Sequence, residues 1–196
     1  MQSDEWDSAY AACELTWSVK PHPHVEEELG NLLPGRGIEL GCGEGRQAIW
    51  LAGRGWKMTA VDFSPVAVDR GRKIAERHGI RVDWVVADVL DYDLTAPVDL
   101  AMILYLHIHR DEFAGVLAKA ATALAPGGTL LVLGWDRQNF TDGLGGPRPP
   151  EVLYSIDDLV GALDGLQVVR ADQVLQAGSS SAVDTLLTAK RPDADC

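Results

Sequence analysis

The sequence predicts an α/β fold built on a doubly wound, seven-stranded, mostly parallel sheet with an antiparallel last strand. Three observations carry this expectation. Short apolar runs alternate with amphipathic helical patterns from residue 36 to about residue 135, and repeated strand-helix units imply a parallel sheet covered on both faces. VDLAMILYL, residues 98 to 106, is too continuously apolar to be half exposed. Near the C-terminus, LQVVRADQVLQ and AVDTLLTAKR are joined by GSSS, a connection too short for a parallel crossover, so the two strands pair antiparallel.

Each element follows in order. Trp6, Tyr10, Cys13 and Trp17 recur at i, i+4, i+7 and i+11, the stripe of one helix face, which either fills a core edge or covers a ligand. Pro21 and Pro23 break the chain before a second helix from about His24 to Leu33, with Val25, Leu29, Leu32 and Leu33 as its apolar face. GIEL is the first strand, QAIWLAGR a helix and KMTAVD the second strand. Ser64 is the N-cap of the next helix and Pro65 its first residue, and His78-Gly79 closes it. VDWVVA, residues 82 to 87, is the third strand and VDLAMILYL the fourth. A helix follows with Phe113, Val116, Leu117, Ala120, Ala121 and Leu124 on one face; Pro126-Gly127-Gly128 ends it before the strand TLLVLGW. Residues 136 to 154, rich in Gly and Pro, form an irregular loop of a length that is more often functional than filler. A helix begins near Ser155-Ile156, and the antiparallel pair completes the fold.

Composition narrows the function. At 196 residues and 46% hydrophobic content the chain suits one domain, with helices in 1–34, the body in 35–191 and a disordered tail at 192–196. No apolar run reaches the roughly 20 residues of a membrane span, and MQSDEWDS is acidic where a signal peptide is basic. A cytoplasmic protein with no membrane partner is expected. The net charge of −12 argues against a nucleic-acid partner. Cys13, Cys42 and Cys196 show no paired spacing, so neither disulfide nor structural metal is expected; His22 and His24 lack a third ligand and read as a linker. A small molecule is the expected partner, and the chain is a monomer or homodimer.

The stretch IELGCGEGR, residues 38 to 46, sets three glycines at alternate positions after a strand. Glycine permits positive φ and lets a ligand approach bare backbone, and a strand, a glycine turn and a helix N-terminus make a cradle for an adenosine-containing cofactor. The dinucleotide fingerprint GxGxxG would need glycine at position 46, which is Arg46.

ELGCGEG, VDFS, ADVLDY and APGGTLLV, in this order over roughly residues 36 to 135, resemble the motifs of class I S-adenosylmethionine-dependent methyltransferases, whose fold is Rossmann-like. WDSAYAACELTW, KPHPHVEEEL and the run from ELGCGEGR to DFSPVAV further resemble the small bacterial tellurite-resistance and thiopurine methyltransferase-like group. The resemblance implies S-adenosyl-L-methionine as cofactor. It implies that Gly41, Cys42, Gly43 and Gly45 take the methionyl part, with Glu39 as the acidic residue opening the motif. Asp62, with Phe63 after it, takes the ribose hydroxyls, two oxygens for two donors. Asp88 takes the adenine amine, with the backbone amides of Val89 and Leu90 near the ring, and Leu104 completes the lining. Arg46, Trp6, Tyr10 and Trp17 are candidates at the methionine end, Arg46 being either a carboxylate partner or solvated.

An activated sulfonium methyl needs a well-held acceptor more than a strong acid or base. Loops at the carboxyl ends of the strands line the crevice, which makes Tyr105, His107, His109, Trp135, Asp136 and Asn139 the acceptor-side candidates, together with Trp6 and Tyr10. His107 either orients or deprotonates an acceptor, with Tyr105 as a weaker catalytic candidate, or caps the strand structurally. No metal is expected. The resemblance implies a thiol, chalcogen oxyanion or hydroxylated aromatic acceptor. The alternatives are a non-catalytic S-adenosylmethionine-binding accessory protein and a nicotinamide-dependent reductase.

Overall fold

The computed structural model describes Asp7, residues 20–147 and residues 149–194. The expected first helix, with Trp6, Tyr10, Cys13 and Trp17, lies outside the described residues, as does Cys196. The chain divides into two compact units, Met1–Tyr92 and Asp93–Cys196.

In the first unit, α1 (Pro23–Leu29) is capped by the His22 ring, which accepts the His24 N–H. Its expected run to Leu33 stops short: the Gly30 N–H closes on the Glu26 carbonyl, and Leu33, expected on the apolar face, is 88% exposed. β1 (Arg36–Leu40), β2 (Lys57–Asp62) and β3 (Asp83–Val86) are parallel in the order β3-β2-β1. The crossovers are α2 (Arg46–Ala52) and α3 (Pro65–Arg77). Ser64 caps α3 by accepting the Ala67 N–H at 3.1 Å, with Pro65 at its first position, where a missing N–H costs nothing. Leu40, Leu51, Met58, Ala60 and Val61 are fully buried between strands and helices, consistent with strands covered on both faces.

In the second unit, β4 (Val98–Leu104) pairs parallel with β5 (Leu124–Trp135); β7 (Val183–Lys190) runs antiparallel to both β5 and β6 (Gln167–Leu175). The order is β4-β5-β7-β6. β5 starts at Leu124, ahead of the Pro-Gly-Gly expected to precede it, because Leu124 pairs with Val98 before the register shifts between Val98 and Leu100. α4 (Arg110–Ala123) buries Phe113, Val116, Leu117, Ala120 and Ala121. The expected irregular loop is partly ordered: it holds α5 (Gln138–Thr141), a 3₁₀ turn (Pro150–Val152) and a bridge of Asp136 to Tyr154. Ser155 caps α6 (Ile156–Gly161). The seven strands constitute the expected Rossmann-like mixed sheet, mostly parallel with an antiparallel last strand. Among the described residues no helix is long and apolar enough to cross a membrane.

Candidate functional site

Where β1 ends, the chain enters the glycine turn. Gly41, Gly43 and Gly45 have φ of 72°, 56° and 68°, the left-handed region that costs an L-residue roughly 1–2 kcal/mol. A Cβ on Gly45 would also stand 2.4 Å from Cη2 of Trp84. The turn is anchored from β2: Gly41 and Cys42 donate their N–H groups to the Val61 carbonyl. Gly43 donates to Oδ2 of Asp62 at 2.7 Å, while Ser64 donates to Oδ1 at 2.9 Å. Asp62 is 6% exposed. Burial raises its pKa, and the bonds from Ser64 and Gly43 pull in the opposite direction. Each carboxylate oxygen retains acceptor capacity, so two further hydroxyl donors are compatible with this geometry. Next to it, the Ser64 hydroxyl donates to Oδ1 of Asp7, a described residue of the N-terminal segment.

Beneath the turn lies Glu39, 3% exposed, whose Oε2 accepts the Ala48 N–H at 2.9 Å. Burial pushes its pKa up to about 8, against the lowering effects of that bond and of Arg46. Its other oxygen has no hydrogen-bond donor among the described residues. Arg46 is half-buried at the start of α2, and its charge acts on both Glu39 and His22. His22 is buried, donates its N–H to Gln47 Oε1 at 3.0 Å, and has a pKa lowered to about 4, chiefly by burial. Among the described residues no cluster of His, Cys, Asp and Glu fits a metal ion.

At the end of β3, Asp88 is exposed and turns back on its own backbone, its Oδ1 accepting the Leu90 N–H at 2.9 Å. Of the two amides expected near the adenine, that of Leu90 is therefore engaged. Val89 is buried and Phe63 half-buried. Cys42 is buried with its thiol pKa pushed well up, first by burial and then by Asp62 and Glu39, which makes it an unreactive wall of the turn.

The first unit thus brings Glu39, Cys42, the three glycines, Arg46 and Asp62 together. An orphaned buried carboxylate oxygen, a backbone cradle and a second carboxylate with capacity for two hydroxyls fit the ammonium, methionyl chain and ribose of S-adenosylmethionine. Sequence reasoning missed Trp84, which packs on Gly45 and Gly71, and the buried Glu44, paired with Arg70 at 3.2 Å. A glycine interrupting a helical run, Gly71, was the available signal of close approach.

In the second unit, Leu104 is buried at the end of β4. Tyr105 follows with φ 55°, the non-glycine residue with positive φ among those described. Its N–H donates to the Leu133 carbonyl at 2.7 Å and its hydroxyl to Oδ2 of the fully buried Asp184 at 2.5 Å. His107 holds the Val152 carbonyl with Nδ1 at 2.9 Å and receives the Trp135 N–H at Nε2 at 3.4 Å. With both nitrogens engaged and the pKa lowered to about 4 by burial, its bonds are those of a neutral ring that caps the strand. Tyr154, buried against Phe113 and His107, donates to the Leu106 carbonyl at 2.6 Å.

Three acceptor-side candidates prove to be fold-bearing or solvated. Asp136 accepts from Thr185 Oγ1 at 2.5 Å and from the Gln138 N–H at 2.8 Å; Asn139, with no exposed surface, accepts the Val183 N–H at 2.8 Å and donates to the carbonyls of Val183 and Asp136. Both side chains fix β7 to the end of β5. His109 is exposed at the N-terminus of α4 without a capping bond. Trp135 is half-buried, its ring 3.1 Å from where a Cβ on Gly146 would sit. A cleft of about 360 Å³ opens among Ile108, Phe113, Leu117, Leu153, Tyr154 and Leu159, rimmed by Asp111, Glu151, Asp157, Asp158 and Arg110.

Comparison with known proteins agrees with this fold. Residues 38–128 match the family model described as a methyltransferase domain. The chain is 28% identical over 164 residues to a 2-heptyl-1-hydroxyquinolin-4(1H)-one methyltransferase of Mycobacteroides abscessus, covering 76% of this chain and 72% of that one. Other curated relatives are spanned over only 31% to 53% of their length. In fold it resembles the N-methyltransferase NodS from Bradyrhizobium japonicum WM9 in complex with S-adenosyl-l-homocysteine (TM-score 0.74, 18% identity, 98% of this chain and 100% of that one). It also resembles a protein solved in work on the conversion of a disulfide bond into a thioacetal group during echinomycin biosynthesis (TM-score 0.76, 23% identity, 98% and 92%). Together the methyltransferase-domain match, the curated relatives and the fold support a class I S-adenosylmethionine-dependent methyltransferase.

Proposed function

We propose that this methyltransferase transfers its methyl group to the oxygen of a small, hydroxylated aromatic compound. The observation that carries the reading is the relative matched over most of both chains, which by name acts on a hydroxyquinolinone. Two features of the molecule support it. The cleft of the second unit has apolar walls and a rim with four carboxylates to one guanidinium, a setting that favours a neutral or cationic aromatic compound over a chalcogen oxyanion. His107 has both ring nitrogens bonded, so the reading assigns it no role as a base toward the acceptor hydroxyl.

Bound S-adenosylmethionine supplies a methyl group activated by positive sulfur. In this reading Glu39 faces the cofactor ammonium, Asp62 accepts from both ribose hydroxyls and Asp88 from the adenine amine, while the glycine turn admits the methionyl chain. With the cofactor held there, its sulfonium would give up the methyl carbon to the acceptor oxygen and keep the bonding pair, and the hydroxyl proton would pass to solvent. The protein's contribution is to hold the acceptor near attack geometry.

The test is S-adenosylhomocysteine release from purified protein with hydroxyquinolinones, catechols, simple thiols and tellurite. Turnover confined to the hydroxylated aromatics is expected. Faster turnover of a thiol or of tellurite would sink the acceptor assignment while leaving the enzyme class standing.

A further inference from the structure

The edge of the second unit carries a pattern the methyl-transfer chemistry does not use. β6 ends the order β4-β5-β7-β6 and, among the described residues, has a strand neighbour on one side only. It is nine residues long, contains neither proline nor lysine, and exposes Val168, Val169 and Leu175 by 39%, 57% and 57%. Natural edges are blunted by lysine, proline, shortness or bulges. This one has a register shift between Val168 and Arg170, and from Arg170 to Leu175 its pairing to β7 is regular.

The two charges in β6 are Arg170 and Asp172, separated by Ala171 and bonded to each other at 2.8 Å on one face of the strand. We propose that β6 is a dimerisation edge at which two copies pair their β6 strands antiparallel about a two-fold axis through Ala171. In that register Arg170 of each copy lies opposite Asp172 of the other, so both charges meet an opposite charge directly across the ladder. Shifting the axis to Arg170 or to Asp172 places like charges opposite each other, which is unfavourable. The strand is thus complementary to itself in one register, as an isologous interface requires. All three central pairs fall in the regular part of β6, where Arg170, Ala171 and Asp172 are held by Thr188, Leu187 and Leu186 of β7.

Sedimentation velocity from about 1 to 100 μM tests the proposal, with circular dichroism confirming that each variant is folded. The wild type is expected to reach twice the chain mass. Arg170→Asp and Asp172→Arg alone are each expected to weaken the dimer at least tenfold, and the double exchange to restore it. Ala171→Cys, in a Cys13→Ser, Cys196→Ser background, is expected to cross-link to its mate under mild oxidation, because a residue on the axis faces its own copy within disulfide reach. A monomer throughout the range overturns the proposal. So does a dimer indifferent to both charge reversals and refractory to cross-linking at position 171, which would place the interface on another face.

Discussion

The N–H of Gly43 donates to Oδ2 of Asp62 at 2.7 Å, so the carboxylate that ends β2 also fixes the glycine turn that follows β1. One side chain therefore shapes the cradle and, in the proposed reading, also takes the ribose hydroxyls. Asp62→Ala removes both functions and orphans the N–H groups of Gly43 and Ser64. The expected result in calorimetric titration with S-adenosylhomocysteine is a loss of about 2 kcal/mol or more, on the order of 30-fold in affinity. Unchanged affinity would mean that the ribose lies elsewhere.

Glu39 gives a prediction in protons. With a pKa of about 8 it is largely protonated at pH 7 before the cofactor binds, and in the proposed reading an ammonium beside its second oxygen would favour the ionised form. Titration at pH 7 in buffers of differing ionisation enthalpy is expected to reveal a proton released on binding, and Glu39→Gln to abolish that release. Stability follows the same sign. The folded chain holds this proton from its ordinary pKa near 4.5 up to about 8, so cofactor-free stability falls as pH rises through that window. The Gln variant should flatten the fall; an identical pH profile in variant and wild type would refute the assignment.

Much of the glycine turn and its flanking helix was legible from residues. Alternate glycines after an apolar run require left-handed backbone, and the structure supplies it at Gly41, Gly43 and Gly45; Ser64-Pro65 opened a helix because cap and first-turn chemistry are local. What was not legible depended on partners distant in sequence. Asp136 and Asn139 carry the residue types of a binding loop, but Thr185 and Val183, more than forty positions away, tie both side chains into the sheet. Leu33 fits a helical period and is exposed, because Gly30 ends α1 one turn earlier. Nothing in the spacing marked Trp84, whose contact with Gly45 and Gly71 exists only once β3 lies beside α3.

His107→Ala separates a strand cap from a catalytic base. It loses the bonds to Val152 and Trp135 and the ring contact with Tyr154 at 4.9 Å, an expected cost of about 2–4 kcal/mol in urea unfolding. The ring titrates near 4 in the folded chain against 6.5 ordinarily. The unfolded chain therefore takes up the proton first on acidification, and stability is lost as pH falls from about 6.5 to about 4. The variant should lose less across that window. At a temperature where it remains folded, turnover per folded molecule is expected to stay within a few-fold of wild type, and a hundredfold drop would restore His107 as a base.

Tyr105 is held in a backbone conformation that a bulky residue resists, φ 55°, by its N–H on Leu133 and its hydroxyl on Asp184. Such strain costs on the order of 1–3 kcal/mol and persists where surrounding bonds over-determine it. Asp184, without exposed surface, also accepts from the Gln176 side chain at 3.3 Å. Tyr105→Phe removes a donor from this buried carboxylate, an expected loss of about 1–3 kcal/mol, or roughly 2–10 °C in thermal midpoint for a chain of this size. If the hydroxyl bond is what maintains the conformation, Asp184→Asn acts through the same contact. The double variant should then be less destabilised than the sum of the singles, by more than about 0.5 kcal/mol. Strict additivity would show that the bond is incidental, leaving the backbone contact to Leu133 as the constraint on the turn that carries His107.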